Sequence, residues 1–357
     1  MNEPAEIPLP DALREDLYEA DALPEVAVLF DPAPEVLEAY ALEPSVGVIA
    51  VVRGGAVGRR AALELGALEA ISEDLEEEEA RLRLRIAIER WISRLELEQD
   101  REHLAAQTST LERNLRLAAR LQRSFLPVSL PTLDAVQFST AFLPQEFVSG
   151  DSYEIRRLDR RYVAIYTLDA VGHGVRAALL TVLLRAHFEP LGRDGAPRDP
   201  AEVLADLNQA LLDAHLEDSP TAAFCYGLLD TERGSMRLAN AGHPPPLALL
   251  PDGRREYLGG SGLLLGVDAI PYSSDEVQLD PGTRVFFFTD GADVGYDEGF
   301  AAQLELHRDL ELEDQVGGAL GAVITLDDEG RPEDDITVVA LSYVGATAPA
   351  DAGARED

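Results

Sequence analysis

Five aspartates recur in four short motifs: Asp151 in SGDSYE, Asp169 in LDAVGHG, Asp290 in FFFTDGAD, and Asp334-Asp335 in EDDITVV. Each motif stands at the end or start of a run that reads as a β-strand. A folded sheet could therefore gather the carboxylates at one edge as oxygen ligands for two hard divalent cations. Such a pair of ions lowers the pKa of a bound water and clamps phosphoryl oxygens during in-line displacement, which needs no side-chain nucleophile. Crowded buried carboxylates are costly unless a cation neutralises them. Taken singly, each Asp also suits a turn or a strand cap; the four motifs together point to metal-assisted phosphoryl hydrolysis.

The elements that must position these residues can be read around them. Residues 153–158 and 161–168 are two strand candidates about the polar turn Asp159-Arg160, with Asp151 and Asp169 beyond their far ends. Opposed residues of an antiparallel pair lie roughly 4.5–5.5 Å apart, so both carboxylates can reach one ion. Residues 285–289 form a continuous apolar strand candidate ending at Asp290, and residues 336–340 form another beginning after Asp335. Runs of this kind suit central strands covered on both faces. Residues 175–188, after Gly174, read as a helix packed through its leucines. Arg176 near its start is a solvated arginine, or alternatively a phosphate contact. Cys225 reads as a small buried hydrophobe rather than a thiolate. His173 reads as a loop residue and His243 as a turn residue, neither as a metal ligand.

With these motifs in place, the chain resembles the bacterial branch of the PPM-type (type 2C) serine/threonine phosphatases, the sporulation and stress-response kind that act in sigma-factor partner switching. The resemblance runs over residues 118–343 and includes LQRSFLP, Asn208 in LADLNQAL, NAGHPPPL at 240–247 and LLLG at 263–266. It implies that Asp169, with the Ala170 carbonyl, bridges two Mn²⁺ or Mg²⁺ ions. Asp290 and Asp334 would complete the first site, Asp151 would hold water around the second, and Asp335 would support them. Several flanks depart from the family pattern. Ser149-Gly150 replaces a double glycine, Ser152 and Glu154 replace an aromatic and an Asp, and Leu168 replaces a glycine. Val294, beside Asp293, stands where the family carries an acidic residue, which speaks against a third metal site.

Composition excludes other chemistries. The chain has 66 acidic and 30 basic residues, and the basic ones are all arginine. Without lysine there is no Walker-type loop, no kinase β3 lysine and no Schiff base; no Cys-x5-Arg loop occurs either. A net charge of −36 disfavours nucleic acid and anionic membranes and favours cations and locally basic protein partners. One cysteine, no signal peptide and no apolar run near 18 residues predict a cytoplasmic location.

The flanking regions complete the expected organisation. Residues 1–74 read as a small α/β unit that resembles the last third of a response-regulator receiver, in a shortened and degenerate form. Asp31 would match the phospho-acceptor, but Glu73 occupies the lysine position and Val52 or Arg53 the Ser/Thr position. Residues 75–126, free of Pro and Gly to Phe125, read as a long helical linker that ends before Pro127 and Pro131. Leu84, Ile88, Trp91 and Leu95, then Leu97, Leu104, Leu111 and Ala118, with Leu115, Leu121 and Phe125 beside them, follow a heptad seam. The seam predicts a two-stranded coiled coil and a homodimer; a single amphipathic helix packed on its own domain is the alternative. Residues 127–343 would be the phosphatase domain and 344–357 a disordered tail.

The expected fold is α+β: an α/β/β/α four-layer sandwich preceded by the linker and the α/β unit. The expected function is hydrolysis of phosphoserine or phosphothreonine on a signalling protein such as an anti-sigma-factor antagonist. The alternative is a catalytically weak pseudo-phosphatase that binds a phosphorylated partner as a scaffold.

Overall fold

The structure is a computed structural model that describes residues 26–41, 46–53, 55–72, 75–216, 218–292, 299–328 and 330–345. The chain divides into two compact units, Met1–Leu111 and Glu112–Asp357. Glu73, Asp293, Val294 and the tail beyond Gly345, all singled out in the sequence, lie outside the described residues.

In the N-terminal unit, β1 (Val26–Phe30), β2 (Gly47–Val52) and β3 (Glu69–Ser72) form a parallel sheet in the order 1-2-3. Alternation along β2 sends Val48, Ala50 and Val52 to one face, where they meet Leu37 of α1 (Pro34–Ala41) and Ala62 of α2 (Gly55–Glu64). Ile49 and Ile71 face the other side and meet Leu84 and Ala87 of α3 (Glu77–Phe125). Gly47 leaves the space that the Trp91 ring needs, since a Cβ there would lie 2.9 Å from the indole. Leu84, Ile88 and Trp91 thus face the molecule's own sheet, whereas Leu97, Leu104 and Leu111 are 60%, 60% and 59% exposed. The same periodicity serves two different surroundings along one helix. Asp31 follows β1 at φ 43°, its N–H donating to the Val51 carbonyl, and its carboxylate accepts from the Arg53 N–H at 3.4 Å.

The second unit contains two five-stranded sheets. One has the order β10 (Arg255–Tyr257), β9 (Leu247–Leu249), β12 (Arg284–Phe288), β13 (Ile336–Tyr343), β4 (Val136–Leu143). The other has β11 (Asp275–Gln278), β8 (Ser235–Ala241), β7 (Ala222–Asp230), β6 (Tyr162–Ala170), β5 (Asp151–Arg157). Every neighbouring pair is antiparallel. Between the sheets, Val163, Ile165, Cys225 and Leu229 meet Val285, Phe287, Val339 and Leu341. The alternate residues Tyr166, Leu168, Phe224 and Tyr226 face α4 (Val175–His187) and α5 (Pro200–Asp213). Phe286, Phe288, Val338 and Ala340 face α6 (Gly299–Leu306) and α7 (Leu312–Val323). This is the four-layer α/β/β/α sandwich expected from the sequence. It explains the unbroken apolar runs, since both faces of the central strands are covered.

One detail of the hairpin differs from the sequence reading. The loop between β5 and β6 is closed by the Leu158 N–H donating to the Tyr162 carbonyl, so it holds three residues, 159–161, rather than the two of Asp159-Arg160. The Asp159 carboxylate sets its shape by accepting from the N–H groups of Arg161 and Tyr162, each at 2.7 Å, the local turn chemistry of Asx residues. The extra residue matters for register, because a two-residue loop would set Asp151 opposite Leu168. No helix among the described residues is long and apolar enough to cross a membrane.

Sheet-to-sheet packing is tight at Gly227, where an added Cβ would lie 3.1 Å from Phe287 and 3.2 Å from Leu238 and Met236. Gly227→Val should therefore destabilise the fold by about 1–3 kcal/mol through overpacking, with Gly227→Ala milder. Urea denaturation checks this; an unchanged midpoint for Gly227→Val would refute the packing described.

Candidate metal centre

The hairpin pairs Asp151 directly with Asp169. Asp151 is 2% exposed, and its carboxylate is held from the opposite sheet by the Thr289 hydroxyl, which donates to Oδ2 at 2.8 Å. Thr289 Oγ1 in turn accepts from the Thr337 N–H at 2.9 Å, and the Thr289 N–H donates to the Thr337 carbonyl. This chain of bonds joins the strand ends carrying Asp290 and Asp334-Asp335 to the first hairpin. Asp290 opens a single 3-10 turn, Asp290–Ala292. The next residue must be glycine, since a Cβ on Gly291 would fall 2.2 Å from the Asp335 carbonyl oxygen and 3.3 Å from Asp334 Cβ.

Gly150 answers a similar demand, with Ala170 O only 3.1 Å from a would-be Cβ, and its carbonyl accepts from the Ala170 N–H. Asp290 and Asp334 are exposed and Asp169 half-buried, while Asp335 is buried. Asp335 accepts from the N–H groups of Gln145 at 2.8 Å and Gly150 at 2.7 Å. Asp334 Oδ1 accepts from the Asp335 N–H.

Crowding leaves an electrostatic mark. Burial, then the charges of Asp290, Asp334 and Asp335, push the Asp169 carboxyl up to about 7. Burial and the charge of Asp169 carry Asp151 well above the ordinary carboxylate range. The donors gathered here are carboxylate and carbonyl oxygens, which suit hard divalent cations and not soft ones. A cation would relieve the crowding. Among the described residues no three His, Cys, Asp or Glu side chains are drawn close enough to grip an ion as they stand; mutual repulsion favours that separation.

The other sequence candidates fall away from the centre. His243 is buried, its Nδ1–H donates to the Pro244 carbonyl, and burial lowers its pKa to about 4. Asn240 brackets it through two main-chain bonds, which accounts for the NAGHPPPL signature as a turn. His173 is exposed, with Nδ1 3.5 Å from Glu146, and Arg176 pairs with Asp218 at 2.8 Å on the surface. Asn208 bonds Asp268 O and Gly266 N–H, so it holds the LLLG loop. The altered flanks have local partners: Ser149 Oγ accepts from the Asp151 N–H, Glu154 pairs with Arg185 at 3.1 Å, and Leu168 lies in the helix-covered core.

Three supporting residues escaped sequence reasoning. Thr289 was visible only as the residue before an Asp. Gln145 has no motif around it. Gln122, inside LQRSFLP, grips the main chain of Ser149 from α3: Nε2 donates to Ser149 O at 2.6 Å and Oε1 accepts from Ser149 N–H at 3.0 Å. Ala119 beside it packs on Val148 and Ala178.

The second unit is similar to known proteins. Residues 159–344 match the family model described as stage II sporulation protein E (SpoIIE). The chain is 28% identical over 204 residues to Protein IcfG of Synechocystis sp., covering 50% of this chain and 32% of that protein. It is 27% identical over 184 residues to Phosphoserine phosphatase RsbP of Bacillus subtilis, covering 50% and 45%. The chain thus spans less than half the length of either of these curated relatives. Among solved structures, the SiaA-PP2C domain of Pseudomonas aeruginosa superposes with a TM-score of 0.57 at 26% identity, over 67% of this chain and 99% of that one.

Two outcomes follow for the metal-free protein. Unfolded, Asp169 loses its proton near pH 4; folded, it keeps it to about pH 7. The folded state binds more protons in that window, so stability falls as pH rises from about 4 to 7 and this group has no further effect above it. Asp169→Asn should make the metal-free chain more stable than wild type at pH 8, on the order of a few kcal/mol, with the difference vanishing toward pH 4. Thermal melts in EDTA across that range decide it, a less stable mutant at pH 8 being the contrary result. Gln122→Ala leaves the Ser149 N–H and carbonyl unpaired and should cost about 1–3 kcal/mol, measurable by urea denaturation as a lower midpoint.

Proposed function

The chain belongs to the stage II sporulation protein E (SpoIIE) family, and on that premise we propose that it is a metal-dependent serine/threonine phosphatase acting on a phosphorylated signalling protein of the anti-sigma-factor-antagonist kind. The observation that carries this reading is the Thr289 to Asp151 hydrogen bond, which joins the TDG motif of one sheet to the Asp151/Asp169 pair of the other. The name phosphoserine phosphatase borne by the relative RsbP supports the substrate class.

Asp169, the Ala170 carbonyl, Asp290 and Asp334 would hold two Mn²⁺ or Mg²⁺ ions, with Asp151 ordering water beside them. Such ions supply a nucleophilic water at neutral pH and neutralise charge on the phosphoryl oxygens. The chain's own residues do the rest. Thr289 fixes the rotamer of Asp151, and the β5–β6 register sets its distance from Asp169. The exposed Asp290 and Asp334 leave the centre open to a phosphoserine side chain presented by another protein. Cys225 takes no part, because burial raises its thiol far above neutrality.

Asp169→Asn and Asp290→Asn should each lower Mn²⁺-dependent turnover of p-nitrophenyl phosphate by at least about a thousandfold, as expected when a metal and its water activation are lost; EDTA should abolish it in wild type. Turnover within about tenfold of wild type in Asp169→Asn would sink the assignment. Absence of turnover in wild type, with tight binding of a phosphoserine protein, would favour the scaffold reading.

The exposed Leu97, Leu104 and Leu111 support a homodimer through the middle of α3. Burying a leucine contributes roughly 1.5–3 kcal/mol, so replacing Leu104 and Leu111 with Asp should give a monomer by light scattering. A monomeric wild type at micromolar concentration, or a dimeric double mutant, would remove this assembly.

A further inference from the structure

We propose that Asp335 is a positioning residue, a two-armed clasp that sets the path of the chain into Asp151, rather than a ligand of divalent ions; the proposal deepens the phosphatase reading and rests on it for the role of Asp151. The two carboxylate oxygens are each engaged by a main-chain donor from the segment that links β4, the neighbour of β13, to β5 of the opposite sheet. Oδ1 accepts from Gln145 N–H at 2.8 Å and Oδ2 from Gly150 N–H at 2.7 Å. The Gln145 side chain returns the contact by donating to the Glu333 carbonyl at 2.5 Å. Segment 145–150 is thereby fastened at both ends to the start of β13.

The clasp reaches further. Gly150, gripped by its N–H, accepts at its carbonyl from the Ala170 N–H at 2.9 Å. One carboxylate thus sets, through two consecutive bonds, the place where Asp151 begins β5 and where Asp169-Ala170 ends β6. Gly291 presses against the Asp335 backbone so closely that a Cβ would sit 2.2 Å from its carbonyl oxygen, which holds the clasp itself in place. Asp335 is 9% exposed, whereas its neighbour Asp334 is exposed and, among the described residues, accepts from the Asp335 N–H alone. The buried Gly150 N–H and the half-buried Gln145 N–H need two acceptors, and charge-assisted bonds to a carboxylate satisfy both strongly. An amide offers one acceptor oxygen and would turn a donor toward the second N–H. The chemistry of the position therefore requires Asp for a reason separate from metal binding.

Amide hydrogen exchange on the metal-free full chain in EDTA reads the clasp directly and stands even if the protein hydrolyses nothing. In wild type the Gln145 and Gly150 amides should be protected. In Asp335→Asn at least one should exchange about tenfold faster or more, the equivalent of one lost hydrogen bond, while Asp334→Asn leaves both protected. With Mn²⁺ present, Asp335→Asn should lower kcat for p-nitrophenyl phosphate about 10–100-fold, as outer-shell substitutions do, with KM unchanged. Fast exchange at both amides in wild type, which needs no folded variant, would overturn the proposal. So would equal protection in Asp335→Asn, or altered protection with kcat untouched, which would make the contact merely structural.

Discussion

Asp151 is a carboxylate sealed between two sheets within hydrogen-bond register of another carboxylate, and the second unit is arranged so that this costly placement can persist. Its burial and the charge of Asp169 both disfavour ionisation. The compensation is local: a hydroxyl from Thr289 and a main-chain grip at each end of the approach, from Gln122 on Ser149 and from Asp335 on Gly150. None of these partners is a cation. The folded chain therefore gathers carboxyl groups with no cationic side chain among these partners, and a binding cation favours their charged forms.

The sandwich makes such placement possible by separating two tasks along the same strands. The middles of β6, β7, β12 and β13 are apolar on both faces and supply the core. The ends of β6, β12 and β13, with the start of β5, carry the aspartates. Because the strands pair antiparallel, ends that are far apart in sequence converge at one edge. Two glycines then allow main chain to approach main chain there, Gly150 against Ala170 and Gly291 against Asp335. A side chain at Gly291 would force the motifs apart, and one at Gly150 would crowd Ala170.

Much of this was legible in the sequence because it rests on short-range rules. Strand periodicity and a polar turn bring the strand ends carrying Asp151 and Asp169 to one edge, though the exact pairing depends on the turn's length, and unbroken apolar runs before Asp290 and after Asp335 mark central strands. The turn length was misread by one residue because the Asp159 carboxylate, accepting from both Arg161 and Tyr162, stabilises a wider loop than composition indicates. Thr289, Gln122 and the clasp by Asp335 were not legible, for each joins positions from 27 to 190 residues apart. A pattern rule has no access to such pairs.

Helix α3 shows the limit of periodicity most clearly. Heptad spacing reports that one face of a helix is apolar and is silent about what covers that face. Over Leu84, Ala87 and Trp91 the cover is the helix's own parallel sheet; at Ala119 it is Val148 and Ala178 of the second unit. At these positions the helix is covered within the chain, while Leu121 and Phe125 beyond Ala119 are exposed. Between Trp91 and Ala119, three leucines at a strict seven-residue spacing remain more than half exposed. Exposed leucines scattered singly need no explanation, but leucines aligned along one stripe present a continuous apolar strip. A stripe flanked at both ends by intramolecular packing has its register fixed before any partner arrives. That lowers the conformational cost of association, because a preformed helix gives up little entropy in pairing. The sequence feature that reads as one uniform seam is thus covered within the chain at some positions and exposed at others, Leu97, Leu104, Leu111 and Leu121 among the latter.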